Sequence, residues 1–126
     1  MADILYPKES YEIIGAAIKV FNELGFGYQE KYYYRAFENV LHELKFNVSK
    51  QLWTPLVVGG RPIGGYYLDF LIEKNGARIV VELKVADAIY PQHIKQVYGY
   101  LRAHNIKLGI IIVISKNGII QKRLAN

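Results

Sequence analysis

The chain of 126 residues contains no cysteine. Disulfides, cysteine nucleophiles, thiolate zinc sites and iron–sulfur clusters are therefore excluded, and nothing in the composition points to export. No apolar run approaches the length of a membrane span. The longest, Ile110 to Ile114, reads as a buried strand. Met1-Ala2-Asp3-Ile4 lacks the basic segment and apolar stretch of a secretory leader, so residence in the cytoplasm, away from membranes, is expected. Internal repeats, low-complexity stretches and linkers are also missing, and the length suits one domain over residues 1–126. Acids are in the minority: 16 Lys and Arg against 11 Asp and Glu leave a net charge of +5. That excess suits a polyanionic partner such as nucleic acid, though many small proteins carry it without one.

What is present is apolar patterning. Hydrophobic residues make up 52% of the chain and charged residues 21%, the balance of a globular protein with a real core. Proline suits a first helical turn, so a helix is expected from near Pro7, with Ile13, Ala17, Val20, Phe21 and Leu24 at helical spacing and Gly25 and Gly27 ending it. A second helix is expected over Gln29 to Lys45, its apolar stripe formed by Tyr33, Phe37, Val40, Leu41 and Leu44. The period then changes. Val48 to Val58 reads as extended, with Pro55 marking an edge strand or a bulge. After a turn at Gly59-Gly60, Gly64-Gly65 open a second strand ending near Glu73. Asn75-Gly76 is a tight-hairpin signal, and the third strand spans Ala77 to Val85. Pro91 starts a third helix to His104, Ile106 to Ile114 is a strand covered on both faces, and Asn117-Gly118 turns into a last strand over Ile119 to Leu124. The order α-α-β-β-β-α-β-β predicts an α/β fold with a mixed sheet flanked by helices.

Three charged residues stand out in this apolar setting. Asp69 lies within Tyr67-Leu68-Asp69-Phe70-Leu71-Ile72, and Glu82 and Lys84 within Ile79-Val80-Val81-Glu82-Leu83-Lys84-Val85. Burying a charge without a partner is expensive, so each needs a reason. Alternation places Glu82 and Lys84 on one face. A two-residue Asn75-Gly76 loop would set Asp69 opposite Glu82. Adjacent carboxylates repel, and a divalent cation such as Mg²⁺ or Mn²⁺ relieves this, with the Leu83 carbonyl as a further hard ligand. A plain salt bridge of Lys84 with Asp69 or Glu82 is the alternative. Gln96 and Tyr100 share a face of the third helix and can look onto this patch, or be ordinary surface and core. Glu30 and Tyr33 share a face at the start of the second helix. There Glu30 is either functional or a helix-capping acid, and Tyr33 either a site residue or core. His93, in the first turn of the third helix, is either a site residue or a solvated position. Trp53 reads as a core or interface anchor rather than a base-stacking platform. Lys45, Lys50, Arg61, Lys116, Lys122 and Arg123 form either a basic rim or scattered surface charge.

Taken together, these residues resemble a known family. Gly27-x-x-Glu30-x-x-Tyr33 is similar to the motif of the GxxExxY family. Asp69 followed by Glu82-Leu83-Lys84 resembles the PD-(D/E)XK nuclease signature, and Gln96-x-x-x-Tyr100 the accessory motif of its RecB-like branch. The likeness runs from about Tyr11 to Arg123, although Leu68 replaces the proline before Asp69. It implies a restriction-endonuclease-like core and Mg²⁺-dependent hydrolysis of nucleic acid by a metal-activated water. Asp69 and Glu82 would hold metal, with Glu30, the helix-borne acid, completing the shell, Lys84 would be the catalytic lysine, and Gln96, Tyr100, Tyr33 and His93 accessory residues. A nuclease fold serving as a binding or assembly module is the competing expectation. A core this small would need a homodimer or a partner protein to widen its grip.

Overall fold

The structure, a computed structural model, describes residues 5–126. Helix α1 (Pro7–Leu24) begins at a proline and buries Ile13, Ala16, Ala17 and Val20 along one stripe. Helix α2 (Glu30–Glu43) buries Tyr33, Phe37 and Leu41. It is shorter at both ends than its apolar pattern predicts, because Gln29 is extended and Lys45 is left-handed at φ 70. Strands β1 (Asn47–Val58), β2 (Arg61–Lys74) and β3 (Ala77–Val85) follow as an antiparallel meander. Helix α3 (Pro91–His104) then crosses over to β4 (Leu108–Ser115), which lies parallel to β3, and β5 (Gly118–Ala125) returns antiparallel.

The five strands form one sheet in the order β1-β2-β3-β4-β5. Helices α1 and α2 cover one face with a core that includes Phe70, Ile72, Val81, Leu83 and Ile110. Helix α3 covers the other over Leu68, Leu71, Val80, Ile111 and Val113. Every residue of β4 is buried, as its unbroken apolar run predicts. Among the described residues no helix is long and apolar enough to cross a membrane.

Strand β2 starts earlier than Gly64. The two turn glycines take φ 58 and 76, so pairing resumes at once with Val58 opposite Arg61. Pro55 sits on edge strand β1, beside a register shift between Leu56 and Val57. Trp53 is not in the core: it is 50% exposed and leans on Tyr67, its cross-strand partner, with ring centroids 4.9 Å apart.

Candidate active site

The β2–β3 ladder runs from Lys74 opposite Ala77 to Phe70 opposite Val81. One step further would set Asp69 against Glu82, the register expected of a two-residue turn. There the backbone ladder ends and the two carboxylates take over. The Asp69 N–H donates to Glu82 Oε1 at 3.2 Å, and the Leu83 N–H donates to Asp69 Oδ2 at 2.8 Å. Strand β2 rolls at this point. Leu68 and Phe70 are two apart, yet they pack on opposite faces of the sheet, and Gln51, on β1 beside them, is left-handed at φ 58. Beyond Asp69, β1 and β2 leave β3 and continue as a two-stranded ribbon.

The departure exposes the last half of β3 along one edge, and orphaned backbone groups there need partners. Asp69 satisfies the Leu83 N–H. The Tyr34 hydroxyl lies 2.8 Å from the Leu83 carbonyl and 2.7 Å from Glu30 Oε1, its one proton shared between the two acceptors, while Glu30 Oε2 accepts from the Val85 N–H at 2.9 Å. Two carboxylates and a phenol thus replace the missing strand along this edge. Burial, then Asp69 and Glu30, raise the Tyr34 hydroxyl above the ordinary phenol range, which keeps it a donor.

Glu82 is 1% exposed. Burial, together with the neighbouring Asp69 carboxyl, pushes it well above the usual carboxylate range, against the pull of Lys84. The Lys84 Nζ is 4.0 Å from Glu82 Oε2, a loose ion pair that leaves the ammonium partly exposed. A buried acid with too little positive charge beside it, an adjoining acid and a carbonyl oxygen form a hard-oxygen set that suits a divalent cation. The set is small: no group of three acids or histidines close enough to hold a metal occurs among the described residues. Glu30, with both oxygens engaged, stands beside the pair rather than in it.

His93 comes to this patch. Burial and Lys84 lower its imidazole below the ordinary value, opposed by Glu30 and Asp69, and its Nδ1 has no partner among the described residues. Gln96 lines an adjoining groove of about 380 Å³ with Leu56, Tyr66, Lys95 and Arg102, and its carbonyl accepts from the Tyr66 hydroxyl at 2.9 Å.

Tyr33 and Tyr100 lie elsewhere. Tyr33 is fully buried in the helical layer, its hydroxyl on the Gly25 carbonyl. Tyr100 is buried under α3 against His104, and its charged neighbours are Arg78 and Glu73, at the Asn75-Gly76 end of the sheet. The tyrosine that does reach Glu30 is Tyr34, four residues on rather than three. Of the expected basic rim, Lys50 is tied to Glu38 at 3.1 Å and Arg123 to the Leu5 carbonyl at 2.6 Å.

The description of the PD-(D/E)XK nuclease superfamily matches residues 7–123 of the chain. No curated protein matches it. A solved structure, the crystal structure of SSO0001, is similar in fold at a TM-score of 0.51 and 17% identity, over 94% of this chain and 78% of that one. The mixed sheet of five strands with its three helices is the restriction-endonuclease-like arrangement that the element order implies. By the match over nearly its whole length, this chain belongs to the PD-(D/E)XK nuclease superfamily.

Proposed function

We propose that the protein is a nuclease of the GxxExxY branch that hydrolyses phosphodiester bonds in nucleic acid with a divalent cation. The observation that supports this most directly is the adjacency of Asp69 and Glu82 at the open edge of β3, with Lys84 beside them. Asp69, Glu82 and the Leu83 carbonyl would hold Mg²⁺ or Mn²⁺, which when bound supplies Lewis-acid polarisation of a phosphate oxygen. Lys84 would offset the negative charge that builds on the phosphate. Glu30 and Tyr34 hold the β3 edge, so that Leu83 and Asp69 stay in place when substrate arrives. The Gln96 side chain, in the adjoining groove, would hydrogen-bond a phosphate or base edge, while His93, its Nδ1 buried, would act only within the patch beside Lys84.

Cleavage of a mixed panel of single- and double-stranded DNA and RNA with Mg²⁺ or Mn²⁺ tests the reading. The wild type is expected to cut at least one substrate, and Lys84→Ala to lose roughly a hundredfold or more in rate, the scale of removing one charge-stabilising group. Equal inertness of both proteins across substrates and metals would end the enzyme claim. The full engagement of Glu30 favours a second reading, a nuclease fold retained as a binding module. Calorimetric Mn²⁺ titration separates the two: binding lost in Asp69→Ala supports the nuclease, and no binding supports the module.

A further inference from the structure

The ribbon of β1 and β2 beyond Asp69 carries an aromatic pair that nothing in the described fold covers. Trp53 is 50% exposed and Tyr67 57% exposed, with their rings tilted by 58° at 4.9 Å. Trp53 lies across Gly65, where an added Cβ would come within 2.5 Å of the indole, so the glycine makes room for the ring. Tyr66 and Leu68 pack toward α3, so the intervening Tyr67 points to the other side of the ribbon, the side of α2. Asp69 opens onto that same side. It lines a cleft of about 190 Å³ with Lys31, Tyr34, Arg35, Lys50 and Glu38, of which Glu38 is spent on Lys50 at 3.1 Å. By strand rise Tyr67 stands roughly 7 Å from Asp69 along the chain.

Charge says what would cover the pair. From Gln51 to Leu68 the ribbon has no acidic residue and carries Arg61. Across the cleft, Lys31 and Arg35 are exposed, and neither is paired with a carboxylate among the described residues. Aromatic faces on the ribbon, followed by cations in the Asp69 cleft, fit a chain of stacked bases on a phosphate backbone. Bases locked in a duplex do not offer their faces to side chains.

We infer that the Trp53–Tyr67 pair is a stacking platform for unpaired bases of single-stranded nucleic acid, with Lys31 and Arg35 on its phosphates, leading the strand to Asp69. The inference rests on the nuclease reading for its direction.

Trp53 is the only tryptophan, so its fluorescence reports on the platform alone. The titration uses a short thymidine single strand with EDTA present, so that binding is read without cleavage. Binding quenches the emission, weakens with added salt, and exceeds that of a duplex of equal length. Tyr67→Ala weakens it roughly tenfold to a hundredfold, the range for one lost stacked base. Lys31→Ala/Arg35→Ala, remote from the ribbon backbone, weakens it and flattens the salt dependence. Circular dichroism checks the fold of each variant. Absent quenching, equal quenching by duplex, or an emission shift driven by protein concentration alone with a dimeric mass in light scattering would each overturn the platform. Cleavage that persists without quenching sinks the platform and spares the nuclease. Quenching without any cleavage does the reverse.

Discussion

Glu82 shows how one side chain can lower stability where it is expected to serve chemistry. Its folded pKa lies above the ordinary glutamate value of about 4.3, so the native state holds a proton that the unfolded state has released. The stability this contributes is complete below the unfolded value and is lost as pH rises through the folded one. Cation-free protein is therefore expected to melt at progressively lower temperature from about pH 5 to about pH 9. Glu82→Gln should flatten that slope and raise the melting temperature near pH 8 by about 3 °C or more, the size of a 1 kcal/mol gain in a domain of this length. A lower melting temperature for Glu82→Gln at that pH would show that the charge is well compensated. Tyr34→Phe removes the donor to Leu83 and Glu30 and should cost about 1–3 kcal/mol in urea unfolding. No measurable loss would mean that water replaces the hydroxyl freely. Asp69, Glu82 and Lys84 were legible because charged residues interrupt apolar strands. Tyr34 was not, since positions three and four after Glu30 share a helix face and only the open edge of β3 decides between them.

The elements themselves were plain in the sequence where their turns were local. Asn75-Gly76 and Asn117-Gly118 each carry a positive φ at the glycine and close the expected hairpins. The roll of β2 at Asp69 could not be read, because it depends on Gln51 and on packing against α3, both outside any local pattern. Nor could the closeness of α3 to β4. Gly109 faces that helix, and a Cβ there would come within 2.6 Å of Val97 Cγ1. Gly109→Ala is expected to destabilise by about 1–3 kcal/mol through overpacking. Adding Val97→Ala should recover part of that loss in a double-mutant cycle, because the two side chains compete for one space. Additive losses would place the strain elsewhere.

Across the whole molecule, protection should fall from the sheet centre to the ribbon. Amide exchange is expected to be slowest at Val80, Val81, Ile110 and Ile111, all fully buried on central strands, and much faster at Val57 and Ile63, which are more than half exposed. Comparable rates in the two regions would mean that the ribbon is held by contacts beyond this fold. The apolar pattern foretold the central layer, but it gave no sign that β1 from Gln51 to Val58 would outrun the neighbouring strands, because exposed Leu56, Val57 and Ile63 look like core in a sequence. Pro55 then has a meaning beyond marking an edge. A proline kept within a paired strand has its nitrogen turned outward, so a strand arriving at that flank meets a missing donor. That missing donor discourages accretion into fibres along the β1 flank of the ribbon.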